Sequence, residues 1–273
     1  MTEIAATATR PAGLDRRAFL RGTAAGFASL ATFGPPGLVR AREADALPPA
    51  LRAAGGDWRV SFMDDFTDAV TFERNWIRER RAGGQHNTLR LPENSVVADG
   101  ELRLELGHRD DPKRPFTGGS VQSRAFRQRY GYFECEMRIA DEGGVNNAFW
   151  LIADRKTADG VRFELDVVEA KYPNALMVTA RRWYPERITL AAHRHVDIPL
   201  ADSFHRYAML WTKDEFRFFF DDEEIFVALN SFAHRPALML LSNAVGPFAG
   251  KNDGDIEGAA TAIRRVRVFE TVG

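Results

Sequence analysis

Residues 206–229 read RYAMLWTKDEFRFFFDDEEIFVAL, and this stretch decides the fold class. Its apolar runs alternate at period two, most clearly in Phe216-Arg217-Phe218, and they are interrupted by two acidic clusters, Asp214-Glu215 and 221–224. Period-two alternation is typical of β-strands, and Asp is favoured at hairpin turns. The stretch therefore predicts consecutive antiparallel strands joined by acidic turns, rather than a helix or a calcium loop.

The same alternation recurs from residue 47 to the end of the chain. It is found in SVVADGELRLEL (95–106), FRQRYGYFECEMRI (126–139) and IRRVRVFET (263–271). Asp99-Gly100 is a type I′ hairpin signal, and only Thr67–Arg80 has room for a turn or two of helix. The pattern predicts an all-β domain over 47–273, built as a two-sheet antiparallel β-sandwich or jelly roll.

Composition excludes several classes of function. Of the 273 residues, 37 are Lys or Arg and 38 are Asp or Glu, so the net charge of −1 gives no overall field for nucleic acid or an anionic membrane surface. The single cysteine, Cys135, excludes an intramolecular disulfide and a cysteine metal cluster. We therefore expect no nucleic-acid partner, and a monomer is the default expectation.

The N-terminus is similar to a twin-arginine export signal. Arg16-Arg17 precedes a mildly apolar run, Gly22–Phe33, and a small-residue site follows at Ala44-Asp45-Ala46. The run has about 12 residues, whereas a membrane span needs about 20. We expect residues 1–46 to be a signal and cleavage region read by the twin-arginine translocation machinery, which predicts a periplasmic or secreted protein. The alternative is an amphipathic helix with a chance Arg-Arg pair.

Residues 163–170, FELDVVEA, place three carboxylates in a strand that otherwise appears buried. Glu164 and Asp166 share a face by alternation, whereas Glu169 has the opposite parity. One extra residue at Val167-Val168, a β-bulge, would return Glu169 to that face, with roughly 13 Å between the α-carbons of the two Glu residues. Crowded carboxylates raise one another's pKa and so supply a proton donor. Chance acids on an exposed strand are the alternative interpretation, and spacing alone does not choose between retaining and inverting chemistry.

Several blocks around this strand resemble glycoside hydrolase family 16. FELDVVEA fits the family pattern Glu-x-Asp-x-x-Glu in its bulged, laminarinase-like form. Further similar blocks occur in order along the chain, at Phe62–Phe66, Asn94–Leu102, Gly118–Arg124, Tyr130–Glu134, Ala148–Ile152 and Phe204–Trp211. The resemblance implies a concanavalin A-like jelly roll whose concave sheet forms a cleft for an extended polysaccharide.

The resemblance also implies roles for the three acids. Glu164 would be the nucleophile, Glu169 the acid/base, and Asp166 a partner that tunes Glu164 by sharing a proton. The implied activity is endo-acting hydrolysis of a β-linked polysaccharide with retention, with β-1,3-glucan favoured. A non-catalytic, lectin-like carbohydrate-binding protein is the alternative, and a galactanase or transglycosylase of the same family is another.

Five further residues are candidates for substrate binding. Trp150 and Trp183 are the best aromatic platforms for sugar rings, with core packing as the alternative for each. Asn147 occurs where many family members have Trp-Pro, and Arg124 occupies a position often near substrate. Arg181 and Arg182 lie on opposite faces of one strand, so one of them faces the cleft, and Arg182 is our choice.

We expect no cofactor and no metal. The family often has an Asp, commonly a ligand of a structural calcium, just before its last Val-Arg-Val strand. This chain has Arg264 and Arg265 there, ahead of Val266. Because a guanidinium cannot ligate a hard cation, a structural calcium is disfavoured.

Overall fold

Two large antiparallel sheets pack face to face, as the period-two alternation predicted. The fold is seen in a computed structural model that describes residues 46–82, 87–153, 160–252 and 254–272. The strands are β1 (Trp58–Asp64), β2 (Trp76–Arg78), β3 (Arg81–Ala82), β4 (Thr88–Arg90), β5 (Ser95–Ala98), β6 (Glu101–Glu105), β7 (Gly107–His108), β8 (Phe116–Gly118), β9 (Ser120–Ser123), β10 (Gly131–Arg138), β11 (Val145–Ala153), β12 (Arg162–Lys171), β13 (Ala175–Tyr184), β14 (Ile188–His195), β15 (His205–Trp211), β16 (Glu215–Phe220), β17 (Glu223–Leu229), β18 (Ala237–Val245) and β19 (Ala260–Thr271).

The strand order separates a supporting sheet from the sheet that carries the three acids. The first runs β17-β16-β15-β10-β19-β6-β5, with β1 also paired to β19. The second runs β14-β13-β12-β11-β18-β9-β2, so β12 lies well inside it. A small third sheet, β3-β4-β8-β7, combines antiparallel pairs with one parallel pair, β4 with β8. The predicted all-β sandwich is confirmed, and the opening stretch forms the meander β15-β16-β17.

The core lies between the two large sheets because alternate side chains of both point inward. Phe133 and Met137 of β10 and Phe149 and Leu151 of β11 are fully buried within one continuous apolar cluster. Cys135 lies in the same cluster, and burial raises the pKa of its thiol well above the usual range. A buried, protonated thiol is inert, so Cys135 serves as packing.

Local signals in the sequence also match the structure. Asp99 and Gly100 both have positive φ (54° and 73°) in the β5–β6 hairpin, as a type I′ turn requires. Helix α1 spans Pro49–Ala54 and helix α2 spans Ala69–Asn75, the latter inside the predicted helical stretch. Asp68 caps α2 by accepting from the amides of Val70 and Thr71. Two 3₁₀ turns, Pro92–Asn94 and Pro247–Ala249, complete the described elements.

The predicted twin-arginine signal lies, apart from Ala46, outside the described residues. Within those residues, no helix is both long enough and apolar enough to cross a membrane.

Candidate active site

A β-bulge in β12 brings the three acids of FELDVVEA onto one face of the sheet. On the β11 side, Phe149 pairs with Val168 while Trp150 pairs with Asp166, so Val167 is an extra residue. On the β13 side the register also shifts between Asp166 and Glu169. The bulge therefore lies at Val167-Val168, where the carboxylate spacing predicted it.

The neighbouring strands show that the three acids share a face. Glu164, Asp166 and Glu169 pair with Ile152, Trp150 and Ala148 of β11, and with Arg181, Thr179 and Met177 of β13. Each set of partners is spaced by two residues, and directly paired residues point to the same side of a sheet. Leu165, Val168 and Ala170 belong to the main core cluster. The acids therefore point to the outer side of the seven-stranded sheet.

Burial and mutual repulsion set the charge state of the acids. Burial raises the pKa of Asp166 well above its usual range, and the charges of Glu164 and Glu169 raise it further. Burial also raises the pKa of Glu164, although Arg181 opposes this rise. The Nη1 atom of Arg181 lies 3.6 Å from Oε1 of Glu164. Asp166 thus holds a proton readily beside a Glu164 whose ionised form is favoured by an arginine.

Asn146, rather than the predicted Asn147, lies beside the acids. Asn146 Nδ2 donates to Oε1 of Glu169 at 2.8 Å. The Asn147 side chain is fully buried between the sheets, where its Oδ1 accepts from the Ala140 amide and from the Thr261 hydroxyl. The assignment of Asn147 to substrate binding is corrected for this reason, since a side chain of the opposite parity points into the core.

Arg181, rather than the predicted Arg182, faces the acids. Arg182 has the parity of the core face, and its Nε donates to the Glu186 carbonyl at 2.8 Å. Trp183 shares the face of Arg181, and the guanidinium carbon of Arg181 lies 4.8 Å from the centre of its ring. Substrate binding by Trp183 stays a prediction. The indole N–H of Trp183 also lowers the pKa of Glu164, although it falls outside standard hydrogen-bond geometry.

Trp150 lies on the face of the acids and not between the sheets. It belongs to a small apolar cluster there with Ala148, Ile152 and Leu240. Its Nε1 donates to the Ser242 hydroxyl at 3.1 Å, and the Arg81 guanidinium carbon lies 5.7 Å from its ring centre. Because only 8% of Trp150 is exposed, any sugar stacking there requires Arg81 to move or to take part.

Arg124 makes contacts with the backbone near helix α2. Its Nε donates to the Glu73 carbonyl and its Nη2 to the Trp76 carbonyl, both at 3.0 Å. These bonds anchor the end of β9 to the α2–β2 segment. Substrate binding by Arg124 stays a prediction.

The described part of the chain contains no group of three or more His, Cys, Asp or Glu side chains arranged to hold a metal ion. Arg264 and Arg265, which motivated the prediction against calcium, both pair with Glu136. The prediction that no metal or cofactor is used stays a prediction.

Asn146 and Arg181 are the two site residues that the sequence-based choice missed. Trp150 and Asn146 are four positions apart and so share a face, whereas Asn147 does not. Trp183 and Arg181 are two apart, whereas Arg182 is adjacent to Trp183. Both residues could therefore have been predicted from strand alternation, because each predicted tryptophan identifies which residues of its strand lie on the same face as itself.

The fold and the sequence both have close counterparts among known proteins. The structure superposes on the laminarinase catalytic domain of Thermotoga maritima with a TM-score of 0.71, at 19% identity, covering 80% of this chain and all of that one. Endo-1,3-1,4-beta-glycanase ExsH of Rhizobium meliloti is 35% identical over 159 residues, which are 56% of this chain and 33% of that protein. The beta-glucanase of Rhodothermus marinus is 29% identical over 181 residues, 60% of this chain and 63% of that protein.

These relatives are longer than the matched region, and the chain spans about a third of the length of ExsH. The sequence profile of Glycosyl hydrolases family 16 matches residues 73–255, which is well over half of the chain and includes all three acids. The chain therefore belongs to glycoside hydrolase family 16.

Proposed function

We propose that this protein is an endo-acting, retaining glycoside hydrolase that cleaves a β-linked polysaccharide, with β-1,3-glucan as the first candidate. The observation that carries the proposal is the bulged strand β12, which aligns three carboxylates on one outer face. Two carboxylates on opposite sides of a glycosidic bond are the minimum for this chemistry. A lectin-like protein has no use for a third acid crowded among them.

In the proposed reaction, the Glu164 carboxylate attacks the anomeric carbon while Glu169 gives its proton to the departing glycosidic oxygen. The bond to the leaving sugar breaks, and a covalent bond to Glu164 forms. Glu169, now ionised, removes a proton from water, which attacks the same carbon and releases Glu164. Asn146 holds the Glu169 side chain through its 2.8 Å hydrogen bond, which orients the proton donor.

Asp166 and Arg181 both act on the charge of the proposed nucleophile, Glu164. The buried Asp166 has a raised pKa and therefore supplies a proton to be shared with Glu164. Arg181, 3.6 Å from Glu164, favours its carboxylate form. Arg181 thus opposes the rise that burial causes in the pKa of Glu164, and it neutralises part of the carboxylate charge, which assists the departure of Glu164 in the second step.

The candidate linkages come from the names of the relatives. ExsH is named an endo-1,3-1,4-β-glycanase, and the superposed Thermotoga maritima domain is a laminarinase. We extend both linkage types to this chain as candidates. The twin-arginine-like N-terminus supports export to the periplasm or beyond, where such polysaccharides occur.

The test is activity of the full chain on laminarin, lichenan, agar and carrageenan. We expect release of reducing ends together with a rapid fall in viscosity on at least one of them. The anomer formed first, read by proton NMR, should be β. Longer products than substrate would favour transglycosylation, and binding without cleavage would favour a lectin and contradict the proposal.

A further inference from the structure

Two arginines of the small third sheet are cross-strand neighbours, and one of them lies beside Trp150 on the face of the acids. Arg81 of β3 and Arg90 of β4 are direct partners in an antiparallel ladder, so their side chains share one face. The Arg81 guanidinium carbon is 5.7 Å from the ring centre of Trp150, which lies on the face of the acids. This contact places Arg81 beside the proposed catalytic strand.

Arg90 is buried although it carries a charge. It is only 6% exposed, and its Nε donates to the Asn243 carbonyl at 3.2 Å. Within the described residues, no carboxylate lies at ion-pair distance from either Arg81 or Arg90. A buried guanidinium is normally matched by a carboxylate, because the desolvation of a single charge is unfavourable. The pair therefore lacks the anion that such a site usually contains.

The charged groups around Arg90 do not supply that anion. Glu79 is the nearby acid, and its charge acts on Arg90 from beyond ion-pair distance, while its Oε2 accepts from the Ser120 hydroxyl at 2.7 Å. Burial, together with the charge of Arg81, lowers the pKa of Arg90 to about 10, against the opposing effect of Glu79. Neighbouring Arg80 instead pairs with Glu93 at 3.6 Å. The local balance is thus positive at Arg81 and Arg90.

We propose that Arg81 and Arg90 form a binding site for an anionic substituent of the glycan, a sulfate ester or a carboxylate, in the cleft wall beside Trp150. The inference rests on the proposed glycan-cleaving function and narrows its substrate class. A guanidinium fork matches the oxygens of either anion, and it is more weakly hydrated than an ammonium group. Contact with Trp150 holds Arg81 in place before the anion arrives.

The test measures binding rather than cleavage, in the full chain carrying Glu164→Gln. Affinity electrophoresis compares laminarin with sulfated and carboxymethylated laminarin, and agarose with carrageenan. We expect an anionic member of a pair to bind more tightly than its neutral counterpart. Arg81→Met should weaken binding of that anionic glycan by about tenfold or more, with little change for the neutral one. The sulfated and carboxymethylated arms identify which anion is recognised.

Arg80→Met is the matched control, since it removes the same charge from the adjacent residue. It should leave the preference for the anionic glycan intact. Arg90→Met and Arg90→Lys are compared with Arg81→Met, and a thermal melt of each variant reports folding. If Arg90→Met fails to fold, Arg81→Met still decides the matter.

A second readout does not depend on the glycan backbone. Inorganic sulfate should raise the melting temperature above sodium chloride of equal ionic strength by more in the otherwise unaltered chain than in Arg81→Met, because the variant keeps only the general stabilisation that sulfate gives to folded proteins. Equal binding of neutral and anionic glycans, or an equal loss in Arg80→Met and Arg81→Met, would overturn the inference. In that case hydrolysis by the unaltered chain still stands as a separate result, so the two proposals fail independently.

Discussion

Two strands of this sandwich, β10 and β12, each carry a pair of acids two residues apart, but the groups that surround the two pairs have opposite charge. On β10, Glu134 and Glu136 are buried in the supporting sheet, and they pair in register with Arg267 and Arg265 of β19. On β12, Glu164 and Asp166 are also largely buried but face another acid, Glu169. Burial of acids at this spacing is therefore common to both strands, and the partners differ.

The partners reverse the direction of the pKa shift. Although burial alone would raise the pKa of Glu136, the hydrogen bond from Arg264 and the charge of Arg265 hold it below the usual value. Burial raises the pKa of Asp166, and the neighbouring Glu164 and Glu169 add to the rise. An acid with a raised pKa lowers the stability of the folded protein when it is ionised, and it is useful in proton transfer. The acids of β10 are thus paired with arginines, which favours stability. The acids of β12 lie close to one another, which favours proton transfer.

The largest expected effect comes from Glu164→Gln. Because this change removes the proposed nucleophile, we expect the turnover rate to fall by about 10⁴-fold, while the melting temperature holds or rises. Reducing-sugar release by the purified variant gives the rate, and circular dichroism gives the fold. Substantial hydrolysis by the folded variant would remove Glu164 from its assigned role.

On the other strand, Glu134→Gln should act on stability and not on chemistry. Oε1 of Glu134 accepts from Arg267 at 2.7 Å and 2.9 Å, and both side chains are almost fully buried. Removing one member of a buried, hydrogen-bonded ion pair is strongly destabilising, so the free energy of unfolding should fall by about 3 kcal/mol. Urea denaturation measures it. Replacing both partners with Met should restore much of the loss, and the activity per folded molecule should be unchanged in either variant.

Asp166→Asn should trade activity for stability. We expect the rate to drop by about 10- to 100-fold, since the shared proton is lost. Between the usual Asp pKa of about 3.9 and the raised folded value, the folded wild type binds more protons than the unfolded chain, so its stability falls as pH rises. The stability of Asp166→Asn does not fall in this way as the pH rises, because asparagine does not titrate. Its melting temperature at pH 7 should exceed that of the wild type by about 2–4 °C.

The pH dependence is the control for Asp166→Asn. The advantage in melting temperature should shrink as the pH is lowered below the usual Asp pKa of about 3.9, because the wild-type carboxyl is then protonated in both states. An advantage that is constant with pH would indicate a packing effect instead.

The smallest effect is expected at Asn146, and its neighbour Asn147 is the matched control. Asn146→Ala removes the hydrogen bond to Glu169, so the rate should fall by about tenfold with a shifted pH profile. Asn147→Ala removes bonds in the core, so it should lower the melting temperature and leave the pH profile in place. If both variants behave alike, the division between the two faces of β11 is wrong.

Much of this molecule follows from the sequence because it depends on local rules. Alternation predicts the strands, Asp99-Gly100 predicts its hairpin, and the wrong parity of Glu169 predicts the bulge. Asn147 was misplaced because it was chosen at a family position and not by parity, and Arg182 was misplaced because the parity of Trp183 was not used to choose between the two arginines. Trp150 and Trp183 fix the parities that select Asn146 and Arg181 instead.

The paired arginines of the third sheet show where sequence reasoning ends. Arg81 and Arg90 are nine positions apart, in two short strands, and no local sequence pattern predicts that these strands pair. Their proximity to Trp150 depends on how the small sheet packs beside β18, which is a tertiary contact. The missing carboxylate partner becomes visible only when all neighbouring groups are in place.

The central claim is that Glu164 and Glu169 act from opposite sides of one bond, and chemical rescue with azide tests it most directly. The substrate is an aryl β-glycoside of the oligosaccharide that the unaltered enzyme releases. With Glu164→Gly, azide should take the place of the nucleophile and give an α-glycosyl azide. With Glu169→Gly, azide should attack the glycosyl-enzyme and give a β-glycosyl azide. The same anomer from both variants, or the reverse assignment, would contradict the account.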